Sequence, residues 1–276
     1  LRLGPVHAEL AHHEGRDAVL DLTEQPVAGR VERVVEVEDP GLDMGEVGMH
    51  PPALARRRVP VHDWRGRSGE GGMAGNAAAD WAGELGARWA QNAAMQDALI
   101  GRFEAPGVAA LGPVEGRRVL DLGCGPGESS ATLADLGAHV TAVDVSPDLV
   151  ALARRRLAGR EVEVMLADAA THPFAPGSQQ ALFSRFGAMF FEDPVPAWTN
   201  LRAAMAPDAP LAVVAWRSIK ENPWAGLPLR LIADMVPPQP KLGPGAPGPF
   251  GWADPAVFTP WLEAAGWREV RAEPVE

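Results

Sequence analysis

Val119-Leu120-Asp121-Leu122-Gly123-Cys124-Gly125-Pro126-Gly127 is the stretch on which the reading of this chain turns. An apolar run over 117–122 ends at a glycine-rich turn, and an amphipathic segment over 128–136 follows. This is a strand, a turn and a helix. Glycines let the backbone turn sharply and let a ligand approach with no side chain in the way. Downstream the alternation continues: strands over 139–145, 162–166, 181–186 and 211–216, and helices over 147–157 and 194–205. Pro147 suits a first helical turn. Strands alternating with helices predict an α/β fold, a doubly wound parallel sheet with helices on both faces.

Two ligand classes use such a turn. In the dinucleotide fingerprint a third glycine follows and a pyrophosphate rests on the helix N-terminus. Here that third position is Glu128, whose carboxylate repels a pyrophosphate. S-adenosylmethionine carries no phosphate and bears a sulfonium and an ammonium, so acidic neighbours suit it. Asp121 then serves as an acceptor near the methionine end. Asp144, twenty-one residues after Gly123 at the end of the second strand, is placed to receive the ribose hydroxyls. Each has a structural alternative: Asp121 bonding the turn's own amides, and Asp144 capping the helix at Pro147, where Ser146 is the better-placed cap.

Four segments, VLDLGCGPG at 119–127, VTAVDVSP at 140–147, MLADA at 165–169 and SRFGAMFFEDP at 184–194, resemble the class I S-adenosylmethionine-dependent methyltransferases. The likeness is greatest to the small-molecule group that includes quinone-biosynthesis methyltransferases. It runs from about Met73 to the last residue. The resemblance implies a Rossmann-like sheet, S-adenosyl-L-methionine as cofactor and a small-molecule methyl acceptor. It implies cofactor contacts from Asp121, Gly123, Gly125 and Gly127, a ribose contact from Asp144, and an adenine-edge contact from Asp168 with the backbone of Ala169. It places Ser184 and Arg185 at the cofactor's reactive end. Three departures stand out. Gln179-Gln180 replaces an aspartate before the fourth strand, and Pro207-Asp208-Ala209-Pro210 replaces a glycine-rich turn before the fifth. The family sheet closes with an antiparallel seventh strand between its fifth and sixth. A strand over 269–275 leaves no residues for it, so the expectation is a missing C-terminal strand and unpaired backbone edges.

Composition narrows the functions. The chain has 276 residues, 25 Lys+Arg against 36 Asp+Glu and a net charge of −11. An acidic chain has no overall attraction for phosphate backbones or anionic lipid, so neither nucleic acid nor membrane is an expected partner. A flipped-base methyltransferase also needs an Asn/Asp-Pro-Pro-aromatic loop where this chain has Ser184-Arg185-Phe186-Gly187. A binding protein that keeps the fold without turnover is the alternative of a different class. The single Cys124 excludes an internal disulfide and a cysteine-rich zinc site. The first residues show no basic-then-apolar leader, and a reducing cytoplasmic setting is the expectation.

Residues 1–72 read differently. They hold five of the seven histidines and carry 9 basic against 13 acidic side chains, a net of −4. Short apolar pieces occur at 18–22 and 31–37, without regular alternation, and 51–72 is rich in Pro, Arg and Gly. Two domains are expected: a poorly ordered or non-native extension over 1–72, upstream of a start at Met73, and the methyltransferase domain over 73–276. His12-His13-Glu14 is not expected to bind metal, since adjacent histidines on a regular element point apart. Residues 76–103 predict one or two helices, where relatives place a lid. Residues 237–255 predict a proline-rich loop, and 255–266 a helix whose start Pro260 delays. No catalytic residue is assigned: methyl transfer needs mainly alignment of acceptor and methyl, and His172 reads as a loop histidine.

Overall fold

Seven strands form one sheet in the order β4-β3-β2-β5-β6-β1-β7, and every pairing is parallel. In chain order they are β1 (Glu32–Val37), β2 (Arg118–Leu122), β3 (His139–Asp144), β4 (Val162–Leu166), β5 (Ala181–Arg185), β6 (Leu211–Trp216) and β7 (Val270–Val275). The computed structural model describes residues 32–37, 77–231 and 242–275. Five of the strands after residue 100 thus follow the apolar runs seen in the sequence, with ends shifted by at most one residue, and β7 starts one residue later than expected. β6 is buried along its whole length. That is the pattern of a central parallel strand covered on both faces.

The helices of the α/β alternation are α5 (Glu128–Asp135), α6 (Pro147–Arg156), α7 (Pro194–Ala204) and α9 (Pro255–Ala264). Ser146 caps α6, its hydroxyl accepting from the Leu149 amide, with Pro147 in the first turn. Pro260 does not delay α9, contrary to expectation. Asp254 caps that helix with Pro255 behind it, and the complete burial of Phe258 and Leu262 holds the turn through Pro260.

Before the sheet's first central strand lie α1 (Ala77–Ala82), α2 (Glu84–Gln91), α3 (Ala93–Ile100) and α4 (Glu104–Leu111), with a 3₁₀ turn at Gly101–Phe103. The one or two helices expected over 76–103 are therefore three, α1 to α3, because Gly83 and Asn92 leave helical geometry at two breaks, and α4 follows beyond that span. The stretch after β6, where alternation loosens in the sequence, contains a further helix, α8 (Pro223–Leu231). The described part of the proline-rich segment is irregular and packs back toward the site, the Gly248 amide donating to the Met189 carbonyl at 3.0 Å.

The largest correction concerns the sheet's far side. The slot between β6 and β7, expected to lack its strand, holds β1, running parallel. Residues 33–37 pair with 212–216, and residues 32–37 with 270–275. Two strand edges with unmet amides and carbonyls are satisfied at once by a valine-rich stretch of high β propensity. β1 thus comes from within the first 72 residues of the chain. The histidines before residue 63 and the segment 51–72 lie outside the described residues.

The two departures in the sequence also have local explanations. Gln180 and Arg118 tie β5 to β2 at the amino end of the sheet: the Gln180 amide donates to the Arg118 carbonyl at 2.7 Å, and Gln180 Oε1 accepts from the Arg118 amide at 3.1 Å. Asp208 adopts φ 57°, the left-handed conformation that glycine supplies elsewhere and that Asp tolerates.

Candidate functional site

The sheet order reverses between β2 and β5. Connections from β2 run toward β3 and β4, and those from β5 toward β6. The crevice beyond the carboxyl ends of strands at such a point is where open α/β sheets bind ligands. The loops leaving β2 and β5 touch there: a Cβ on Gly123 would lie 2.8 Å from Gly187 Cα, and one on Gly187 would lie 2.7 Å from the Leu122 carbonyl oxygen. Gly123, Gly125 and Gly127 all have positive φ, at 66°, 54° and 90°. Their surroundings differ. Gly127 packs on Leu157, whereas a Cβ on Gly125 would meet nothing within 4 Å. That position opens onto free space.

Asp121 is wholly buried at the end of β2. Its Oδ2 accepts from the Ser129 and Ser130 hydroxyls at 2.8 and 2.5 Å, both on the first turn of α5. Its Oδ1 is buried with no hydrogen-bond partner. Desolvation pushes this carboxyl up to about 6, against the opposing pull of the two serines and Arg185. Asp121 thus bonds side chains rather than the turn's own amides.

Asp144, at the end of β3, accepts from the Gly125 amide through Oδ2 and from the Ser146 amide through Oδ1, both at 2.9 Å. It orders the glycine turn from across the crevice. Burial raises its pKa, and these backbone amides oppose the rise. Each oxygen keeps a second lone pair for a ligand hydroxyl. The loop after β4 is joined here as well, since the Ala167 amide donates to the Asp144 carbonyl at 3.0 Å. Asp168 Oδ1 accepts from the Ala170 amide at 2.9 Å. The Ala169 carbonyl accepts from Asn200 Nδ2 at 3.0 Å, and Asn200 also holds the His172 carbonyl at 2.9 Å. The His172 ring packs edge-on to Phe174.

Ser184 and Arg185 are committed elsewhere. Ser184 is fully buried; its hydroxyl donates to the Leu122 carbonyl at 2.9 Å and accepts from the Ala188 amide at 3.1 Å. It staples the two touching loops together. Arg185 pairs with Glu128 at 2.6 Å and lies 3.1 Å from Glu104. Glu192 Oε1 accepts from the Ala77 amide at 2.7 Å. Cys124 is buried, and burial raises its thiol pKa well above the ordinary value, which removes it as a nucleophile.

The amino-terminal helices close over this edge. Trp81 meets Phe190 and Trp89 edge-on at 5.2 and 5.5 Å. Gly86 of α2 rests against Ser146, where a Cβ would come 2.2 Å from its hydroxyl oxygen. Asp97 pairs with Arg156 of α6 at 2.7 Å. Beyond the glycine contact lies an aromatic wall: Phe186 stacks on Trp216 at 4.4 Å, Phe103 meets both edge-on, and Trp224 of α8 lies 5.0 Å from Trp216. Phe186 holds φ 60°, a strained conformation for a bulky residue.

Comparison with known proteins agrees with this architecture. Residues 119–208 match a family model described as a methyltransferase domain. A demethylmenaquinone methyltransferase of Clavibacter sepedonicus is 33% identical over 171 residues, 58% of this chain and 69% of that protein. The chain belongs to the class I S-adenosylmethionine-dependent methyltransferases. A demethylmenaquinone methyltransferase of Beutenbergia cavernae is 31% identical, over 58% of this chain and 70% of its own. Among solved structures, a putative methyltransferase in complex with the Trm112 activator of Haloferax volcanii aligns at TM-score 0.48 and 19% identity, covering 52% of this chain and 67% of that one. By its family and its curated relatives, this methyltransferase is an enzyme that uses S-adenosyl-L-methionine. Among its described residues no helix is long and apolar enough to cross a membrane.

Several residues that shape the methyltransferase's crevice escaped the sequence reading. Ser129 and Ser130 directly follow the glycine turn, so their proximity to Asp121 had a local signal. Gly187, Asn200 and Glu104 had none, because each acts on a partner far along the chain.

Proposed function

We propose that this methyltransferase transfers a methyl group to a small-molecule acceptor, with the cofactor held along the carboxyl edge at the β2/β5 crevice. The carrying observation is the meeting there of a buried, partnerless carboxylate oxygen on Asp121, an open face at Gly125 and an Asp144 carboxylate with lone pairs to spare. The residues fit the cofactor: Asp121 for its ammonium, the backbone of Gly123, Gly125 and Gly127 for close approach, and Asp144 for the ribose. Asp168 and the backbone of Ala169 then bound the adenine. Ser184 and Arg185 act through their neighbours, Ser184 fixing the Leu122–Gly123 bend and Arg185 fixing Glu128. The cofactor supplies an activated methyl on a sulfonium. The chain's own groups bind, orient and exclude water, and the reaction asks little more than alignment.

The acceptor side is placed at Trp224, the exposed ring of a wall whose Phe103, Phe186 and Trp216 are buried in the core behind it. Stacked and edge-on rings favour a flat, apolar ligand. Together with the names of the relatives, this makes a reduced quinol that still lacks its ring methyl the acceptor to try first. Titration calorimetry with S-adenosylmethionine, S-adenosylhomocysteine and NAD tests the cofactor placement. Asp144→Ala should cost at least about tenfold in affinity for the first two, the loss expected for hydrogen bonds to a charged group. An unchanged affinity in folded Asp144→Ala, or binding of NAD alone, would falsify the placement. Label transfer to a demethylmenaquinol analogue then tests the acceptor class.

A further inference from the structure

The loop after β4 carries Asp168 and Ala169 and has little apolar anchorage: Ala169 is buried, but no residue from 170 to 178 is. Polar ties therefore decide its path. Its start is joined to β3, where the Ala167 amide donates to the Asp144 carbonyl at 3.0 Å. Its continuation is held from the other side by one residue of α7. Asn200 Nδ2 donates to the Ala169 carbonyl at 3.0 Å and to the His172 carbonyl at 2.9 Å, which uses both of its hydrogens. α7 is a firm post for that grip. Trp198 and Leu201, flanking Asn200, are wholly buried, and the Trp198 carbonyl accepts from Trp267 Nε1 at 3.2 Å.

The peptide joining Ala169 and Ala170 is pinned at both ends, its carbonyl by Asn200 and its amide by Asp168 Oδ1 at 2.9 Å. The carbonyl of the preceding peptide is taken by the Thr171 and His172 amides, at 3.1 and 2.8 Å. That leaves Asp168 Oδ2 and the Ala169 amide without a protein partner among the described residues. They are an acceptor beside a donor. Adenine presents the complement, a 6-amino donor beside the N1 acceptor, whereas hypoxanthine presents a 6-oxo acceptor beside an N1–H donor and mismatches both. We propose that Asn200 is the positioning residue of the adenine subsite: by holding the Ala169 and His172 carbonyls it keeps this pair aligned for adenine and so sets the base preference of the cofactor site. This rests on the cofactor placement proposed above. Released from Asn200, the loop keeps its residues but not their alignment, and a polar pair out of alignment no longer tells the two bases apart.

The test is calorimetric titration of the full chain with S-adenosylhomocysteine and, separately, S-inosylhomocysteine, which differ only at that base edge. Wild type should prefer the first by at least about tenfold, the worth of two hydrogen bonds of which one is to a charged group. Asn200→Ala should weaken S-adenosylhomocysteine by about tenfold and leave S-inosylhomocysteine within about twofold, so that the preference collapses. Asn200→Asp, close in shape but with no hydrogen to donate, is the second variant and should lose the preference likewise. Asn200→Gln, which keeps both donors on a side chain one methylene longer, should restore part of it. Equal weakening of both ligands would mark Asn200 as a general support of the fold and overturn the proposal. An unchanged ratio in a folded Asn200→Ala or Asn200→Asp chain would overturn it too. A wild-type chain that binds both ligands equally would refute the adenine placement, and one that binds neither the cofactor placement as a whole, each taking this proposal with it.

Discussion

Gly187→Ala probes the contact on which the crevice is built. Gly187 has φ −87° and ψ −39°, which alanine adopts without strain, so the substitution isolates the steric effect of one methyl. That methyl would sit 2.7 Å from the Leu122 carbonyl oxygen, 2.9 Å from Gly123 Cα and 3.2 Å from Ser184 Oγ. The first two are backbone atoms at the ends of central strands and cannot swing away as a side-chain tip would. Overpacking of this kind costs about 1–3 kcal/mol, partly offset by about 0.4–1 kcal/mol from the less flexible unfolded chain. A net loss of about 1 kcal/mol corresponds to roughly 2–4 °C in Tm for a domain of this size. Since Gly123 must shift, affinity for S-adenosylmethionine should fall by on the order of tenfold as well. Gly177→Ala is the control: φ is 64° and the space is open, so about 1–2 kcal/mol is lost to the left-handed backbone while cofactor affinity stays put. Thermal melts followed by circular dichroism, with calorimetry for the cofactor, read both quantities. A Gly187→Ala protein as stable as wild type, with full cofactor affinity, would show that the two loops do not meet as described.

Two further outcomes follow from buried charge and from strand pairing. The folded Asp121 carboxyl titrates at about 6 whereas the unfolded one titrates near 4. The native state therefore keeps a proton the unfolded state has lost, and stability falls as pH rises from about 4 to 6, with the full penalty of on the order of 2–3 kcal/mol present above that window. Urea unfolding of Asp121→Asn at pH 4.5 and 7.5 should show a shallower fall than wild type, the remainder coming from Glu104 and Asp144, whose pKa values are also raised; an identical slope would count against a buried, ionisable Asp121. Deleting residues 1–72 removes β1 from between β6 and β7, so hydrogen exchange should accelerate across 211–216 and 270–275 relative to 118–122. Unaltered protection there would return the segment to the status of an appendage.

Local chemistry explains why so much of the fold was legible. The strands from 118 to 185 are short apolar runs closed by glycine or Asp, and each such signal sits within a few residues of the element it ends. The helix breaks at Gly83 and Asn92, and the continuation of α9 through Pro260, were not legible in that way. They depend on whether burial outweighs a residue's intrinsic preference, which a single stretch does not reveal. The same holds for α8, where two prolines obscured a helix that ends in Leu231.

For the site, the sequence by itself determined which residues end the strands: Asp121, the glycines of the turn, Asp144 and Asp168. Successive strand ends in a parallel sheet must share one edge, so their proximity follows from order along the chain. Only the tertiary structure decided what those side chains do once there. Asp121 is met by Ser129 and Ser130, Asp144 by the Gly125 and Ser146 amides, and Ser184 and Arg185 are drawn inward by Leu122, Ala188 and Glu128. The placement of β1 between β6 and β7 belongs to the same class, because hydrogen bonds across a sheet pair segments more than 170 residues apart in sequence. Periodicity registers which face of an element is apolar; which distant partner meets that face is settled by packing and by the need to satisfy every buried polar group.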